Sequence, residues 1–259
     1  GVQDGNTTAA GTNGAQYGYG SMMGSISTDM LSSTPTYVGG LNACINGQGF
    51  FATQAISTKE IDVDGDAADV TDALKEAEFA YTRVGQFQLD SQGYLTDGTN
   101  FIYGFRPDGN NGFETGSLVA LRVPSDLNNG FDDDALQAAS VKINELGEVT
   151  ATVTNPDNGE SVQVSLGKIA IVTFQNQEGL MKSGGTYYSA SIGDNTGLCS
   201  ATIPGGSTSK LMTGYLEASN VDLAKEFSEM ITTQRGFQAN TKMITVSDEI
   251  LSDLISMKR

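Results

Sequence analysis

Roughly the last forty residues constrain this chain more than any other part of it. Between Val221 and Lys258 there is no proline and one glycine, and apolar side chains recur at alternating steps of four and three. Leu223, Phe227, Met230, Phe237, Ile244, Leu251 and Ile255 lie on this seam, with Gln234, Thr241 and Asp248 as its polar members. Such steps put side chains on one face of an α-helix. Asn220 is the expected N-cap, because its side-chain oxygen can accept from an orphan N–H of the first turn. A helix of about 38 residues is roughly 57 Å long, several times the globular mean. A rod of that length cannot bury its seam against a small domain at its own base. It needs other long helices.

The seam also indicates the kind of contact. Positions 223, 230, 237, 244 and 251 are all apolar, whereas Gln, Thr and Asp occupy the middle of the row 227, 234, 241, 248 and 255. Fully buried, seven apolar side chains at about 1.5–3 kcal/mol each stabilise by on the order of 10–20 kcal/mol. In water they contribute nothing, and an isolated helix is marginal. Apolar heptads favour helix–helix packing without naming the partner. An intramolecular coiled-coil hairpin satisfies the pattern. Packing on helices of neighbouring subunits satisfies it better, and self-assembly is the expectation.

The remainder of the chain has a different character. With 32 glycines, five prolines and no tryptophan in 259 residues, many turns and short strands are expected. The net charge is −17, and the terminal helix is nearly balanced, so the acidic excess sits on the upstream body. Such a surface repels phosphate backbones, which argues against a nucleic-acid partner. The longest strongly apolar stretch, around Ile169–Phe174, is far too short to span a bilayer, so no membrane insertion is expected. Residues 1–20 lack the basic and apolar regions of a secretory signal peptide, which leaves export by a pathway reading other signals open. The chain begins without Met, as a processed product or fragment would. Cys44 and Cys199 make no disulfide framework; buried free thiols are expected, a single bridge being the alternative.

The organisation reads as an extended linker arm (1–35), a β-rich body (36–210) and the C-terminal long helix with its approach (211–259). The fold class is therefore mainly β with an N-terminal arm and a long C-terminal α-helix. Within the body, Leu41–Ala52 reads as a hairpin around Asn46-Gly47. A short helix is expected over Ala67–Glu78. Phe79–Asp90 and Tyr94–Phe105 read as a second hairpin around Ser91-Gln92-Gly93. Residues 106–135 read as loop, and strands resume at Val141–Asn144, Val149–Thr154, Ser161–Leu166 and Lys168–Phe174. A Gly/Asn/Ser-rich connection over 179–209 leads to a strand at Leu211–Leu216.

Catalytic chemistry finds little footing. There is no histidine, which removes the commonest general base and the imidazole-dependent triads and zinc sites. No phosphate-cradling glycine loop of the G-x-x-x-x-G-K-[ST] type occurs. No enzyme activity and no cofactor are expected. One stretch resembles the start of a calcium loop: Asp62, Asp64 and Asp66 stand at first, third and fifth positions. The sixth position is Ala67 rather than Gly, and the twelfth is Ala73 rather than an acidic residue. An acidic turn leading into a helix, with Asp69 and Asp72 near its N-terminal dipole, is the simpler reading. These three residues remain a weak metal candidate.

The C-terminal run, Gly214-Tyr215-Leu216-Glu217-Ala218-Ser219-Asn220-Val221-Asp222-Leu223 and then Glu226 to Asn240, closely resembles the terminal signature of bacterial flagellar hook and rod proteins. The segments Ile45–Phe51, Tyr81–Phe87, Gly93-Tyr94-Leu95 and Gly167–Ala170 agree with the family in order. The match runs over about residues 21–259, with 106–165 the variable part. The wording Glu226-Phe227 … Thr233-Gln234-Arg235-Gly236-Phe237-Gln238 is closer to the hook members than to the distal rod members. The resemblance implies a structural subunit of the flagellar hook, exported unfolded through the flagellar type III apparatus and polymerising into a helical tube. That tube transmits motor torque as a flexible universal joint. The implied partners are neighbouring copies and the other axial proteins: rod, hook cap and hook–filament junction. The implied location is the hook and basal body of the extracellular flagellum. Family members begin with a helix that pairs with the C-terminal one; this sequence opens at what resembles the following linker, so that helix is expected to have been removed or to lie outside it. No large outer insertion is expected.

Overall fold

The computed structural model describes residues 34–108, 112–122, 140–154, 161–205 and 209–257. The arm through residue 33, Pro124, the acidic run Asp132–Asp134, the expected turn at 155–159 and the last two residues lie outside the described residues.

The body is built of short strands. In chain order they are β1 (Pro35–Tyr37), β2 (Ala43–Asn46), β3 (Phe50–Gln54), β4 (Ile61–Asp62), β5 (Ala80–Thr82) and β6 (Gln88–Leu89). Then come β7 (Leu95–Thr96), β8 (Phe101–Phe105), β9 (Ser117–Ala120), β10 (Ser140–Ile143), β11 (Glu148–Thr154) and β12 (Ser161–Ile169). The last six are β13 (Ile171–Phe174), β14 (Met181–Gly184), β15 (Tyr187–Ser189), β16 (Cys199–Thr202), β17 (Lys210–Thr213) and β18 (Tyr215–Glu217). A helix α1 (Ala67–Glu76) lies between β4 and β5, and α2 (Leu223–Met257) closes the chain.

The main sheet runs in the order β10-β11-β12-β8-β3-β5-β15-β14, antiparallel throughout this path. Its central strands are apolar at both parities, and successive strand residues point to opposite faces. A strand of that kind must be covered on both sides. Two separate cores do so. Phe50, Tyr103 and Val172 enter one, and their neighbours Phe51, Ile102 and Ile171 enter the other. The first is closed by Leu74 and Ala77 of the α1 segment, the second by Ile45 of β2, Leu211 of β17 and Val149 of β11.

Several expected elements form differently. The Leu41–Ala52 hairpin does not exist: β2 pairs with β17, whereas β3 pairs with β5, β8 and β13. An Asn-Gly turn favours local pairing, but Phe50, Phe51 and Ala52 together need a central place with both faces covered. Gly49 fits the redirected chain: at its φ of +123°, a Cβ would stand 2.3 Å from Cγ2 of Ile171. The second hairpin survives in shortened form as β6–β7, with Gln88 opposite Thr96 and Leu89 opposite Leu95. Residues 106–135, read as loop, contain β9, and the connection 179–209 contains β14, β15 and β16. β14 is mostly polar and exposed throughout, and β9, β15 and β16 are only three or four residues long, too short to show a period. The break expected at Gly167 falls at Ala170 instead, between β12 and β13. α1 ends at Glu76 rather than Glu78, whose φ of 55° cannot continue a helix. The strand at Leu211–Leu216 is divided at Gly214 into β17 and β18.

α2 is 35 residues long. Its N-cap is Asp222, not Asn220: the Asp222 Oδ1 accepts from the N–H of Ala224 (2.9 Å) and of Lys225 (3.3 Å). Aspartate here also places negative charge at the positive end of the helix dipole. Among the described residues no helix is long and apolar enough to cross a membrane.

Candidate functional site

No residue of α2 is buried. Along the seam, Leu223 is 66%, Phe237 73%, Ile244 65% and Ile255 72% exposed, with Phe227, Met230 and Leu251 similar. The polar members do not all require a partner. Thr241 donates its hydroxyl back to the Phe237 carbonyl at 3.0 Å, and Thr232, Thr233 and Ser247 make the same i→i−4 bond. A hydroxyl satisfied within its own helix can enter a dry contact at little cost.

A second apolar stripe escaped the heptad reading. Met243, Val246, Ile250, Leu254 and Met257 follow steps of three and four and are likewise exposed. At 3.6 residues per turn they lie about 120° around the helix from Ile244, Leu251 and Ile255. One partner helix can cover one stripe, so the C-terminal half of α2 is shaped for at least two. The spacing is present in the sequence, but the stronger heptad masks it.

The helix meets the body at a neck of two adjacent chain passes. β1 and β18 pair antiparallel, Pro35 opposite Glu217, Thr36 opposite Leu216 and Tyr37 opposite Tyr215. The Tyr37 and Tyr215 rings meet edge to face at 5.2 Å. The N–H groups of Val38 and Gly39 both donate to the Gly214 carbonyl (2.8 and 2.9 Å), Gly214 donates to Asn42 (2.6 Å), and Ala218 donates to Thr34 (3.3 Å). Arg83, just past β5, reaches into this neck. Its Nε lies 2.8 and 3.1 Å from the two Glu217 carboxylate oxygens. Its Nη1 donates to the carbonyls of Gly49 (2.9 Å) and Gly47 (3.1 Å), its Nη2 to that of Ile45 (3.5 Å). The two side chains are only 11% and 15% exposed, and the guanidinium sits over the Phe50 ring at 5.9 Å. Sequence reasoning placed Arg83 in a family motif but assigned it no task; nothing in spacing links residues 83 and 217.

The weak metal candidate does not form. Among the described residues no three acidic or cysteine groups converge as metal ligands. Asp62 instead uses Oδ1 to accept from the Asp64 N–H at 2.9 Å, tightening the turn before α1, whose N-cap position is Asp66. Cys44 and Cys199 are free and buried. Burial, with the Glu217 charge, pushes the Cys44 thiol up despite Arg83 nearby, and burial pushes Cys199 up as well. A second ion pair lies in the body: Lys75 Nζ is 2.9 Å from Asp194, both side chains 7% exposed. Burial opposes ionisation of Asp194, but hydrogen bonds from Thr196, Lys75 and the Ser191 N–H outweigh it and hold its pKa down to about 2. These groups fasten α1 to the 191–197 loop.

The exposed helix and its approach also carry a family match. The family described as "Flagellar basal body rod FlgEFG protein C-terminal" matches residues 212–257. The chain is 37% identical to the flagellar basal-body rod protein FlgG of Bacillus subtilis over 254 residues, 97% of this chain and 78% of that protein. It is 40% identical to the flagellar hook protein FlgE of Treponema pallidum over 119 residues, 46% of this chain and 24% of that protein. With the hook protein FlgE of Salmonella typhimurium the identity is 38% over 130 residues, 50% of this chain and 30% of that protein. The chain thus spans less than a third of these two hook proteins but most of the rod protein. A long helix held clear of its own β body and a match to a rod protein along nearly the whole chain lead to one conclusion: this chain belongs to the flagellar hook and basal-body rod family, as a structural subunit of the flagellar axis.

Proposed function

We propose that the chain is a subunit of the flagellar hook, self-assembling through α2 into a helical tube that carries motor torque as a flexible joint. The observation that carries this is the wholly exposed 35-residue helix with apolar stripes on two sides. Neighbouring copies supply its cover, through the seam Leu223, Phe227, Met230, Phe237, Ile244, Leu251 and Ile255. The polar middle of the seam, Gln234, Thr241 and Asp248, with Thr241 back-bonded within its own helix, suits a contact that slides as a tube curves, because it presents no interlocking apolar knob to extract. Rod, hook cap and hook–filament junction proteins would adjoin the two ends of the tube, and the flagellar type III apparatus would deliver the subunit. The function is mechanical, with no catalytic step and no cofactor.

The wording Glu226-Phe227 and Thr233–Gln238 favours the hook. The alternative, a distal rod subunit, draws on the match to the Bacillus subtilis rod protein over 97% of the chain. Electron microscopy of tubes assembled from the full-length gene product separates them. Curved, polymorphic tubes support the hook; uniformly straight tubes support the rod; no tubes from a folded protein would sink both.

A further inference from the structure

We infer that Arg83 and Glu217 form a lock on the neck, which makes the incoming and outgoing chain passes act as one ribbon when load arrives through α2. The inference rests on the reading of the chain as a load-bearing subunit and assigns these two residues a positioning role in it.

α2 buries no residue of its own, so force on it reaches the body through the segment that precedes it. That segment ends in β18, only three residues long and paired with an equally short β1. Three register pairs are a weak attachment, and pulling on Glu217 would open them from one end, one pair at a time. Arg83 blocks that route. It holds the carboxylate of the last β18 residue through Nε, while its other nitrogens hold carbonyls of Ile45 in β2 and of Gly47 and Gly49 in the crossing from β2 to β3. β3 is a central strand of the main sheet, fully buried. Load on the last residue of β18 therefore passes directly into the sheet interior, bypassing the ribbon's end.

Chemistry explains why these residue types stand there. The backbone carbonyls at 45, 47 and 49 converge on Arg83 where the chain passes from β2 to β3, which do not pair with each other. A guanidinium offers five donors in a fixed plane and serves carbonyls and carboxylate together; an ammonium cannot span that set. Glu217 balances the charge that this cluster would otherwise leave at low exposure. Low exposure also shields the pair from salt.

The test is amide hydrogen exchange on the chain as it stands, comparing wild type with Glu217→Gln and Arg83→Lys. The reporters are the ribbon amides of Val38, Gly39 and Ala218, with Leu95 and Leu121 as body controls bonded across strands at 2.9 Å. Both variants are expected to exchange at the ribbon at least tenfold faster while the controls stay within twofold. In wild type the ribbon rate should not change with added salt. A smaller ribbon effect overturns the inference. So does equal acceleration of the controls, or loss of the folded body in either variant, because the pair would then be a general stabiliser. Exchange in the unassembled chain does not depend on polymerisation. Failure of the full-length protein to form tubes would remove the functional reading and leave this result standing.

Discussion

Lys75 and Asp194 show how much a single buried contact can carry in this body. Each charge is almost wholly enclosed, and each is tolerable because the other is 2.9 Å away. Lys75→Ala would leave the Asp194 carboxylate buried without its cation, at a cost of about 3–5 kcal/mol; urea unfolding measures it. The pH dependence follows from the sign of the shift. The folded-state pKa of Asp194 is depressed from 3.8 to about 2, so its stabilisation is complete above the ordinary carboxylate range and is lost as pH falls through that window. The loss amounts to about 2 kcal/mol, and an Asp194→Asn chain should show a correspondingly flatter stability curve between pH 4 and 2. Gly85 is constrained by close approach. A Cβ there would stand 1.7 Å from the Ala43 carbonyl oxygen, while the Gly85 carbonyl accepts from the Ala43 N–H. Gly85→Ala should cost at least about 3 kcal/mol by forcing β2 off the body, again read by urea unfolding. Nothing in the local sequence announces that cost, because residues 43 and 85 meet only after folding.

At the scale of elements, the contrast is between strands held by the body and a helix that is not. Phe237→Asp with Ile244→Asp should leave the unfolding free energy of the β body within about 0.5 kcal/mol, because neither residue touches it. The same double variant in the full-length protein should abolish tube formation, read by sedimentation and electron microscopy. Wild-type tubes from that variant would remove the seam from the assembly. Gly236 sits on α2 with open space where an added Cβ would stand, nothing lying within 4 Å. Gly236→Ala should therefore raise helicity, by about 1 kcal/mol of propensity, visible in far-ultraviolet circular dichroism. The helix was legible in sequence because its period is intrinsic to 35 consecutive residues. β14, β15 and β16 were not, since strands of three or four residues are too short to carry an alternation to read. β15 and β16 exist through pairing with β5 and β13, and β14 follows as the local partner of β15.

For the whole molecule the net charge of −17 sets the terms of association. In the proposed assembly, copies packed side by side would repel through their acidic bodies and attract through α2. Raising ionic strength from about 0.01 M to 0.15 M shortens the screening length from about 30 Å to about 8 Å. Assembly of the full-length protein should accordingly begin at lower protein concentration in the higher salt, as light scattering would record. A subunit held together mainly by body–body ion pairs would respond in the opposite direction.

The sequence by itself determined the division into β body and long helix, the apolar seam, the absence of imidazole chemistry and the family resemblance. Each is a property of residues near one another in the chain, where period, composition and motif act without reference to the fold. The tertiary structure alone decided that β2 leaves β3 to pair with β17 and that Arg83 finds Glu217. Those outcomes depend on contacts between distant segments, and they are settled by which arrangement covers both faces of the central strands at once.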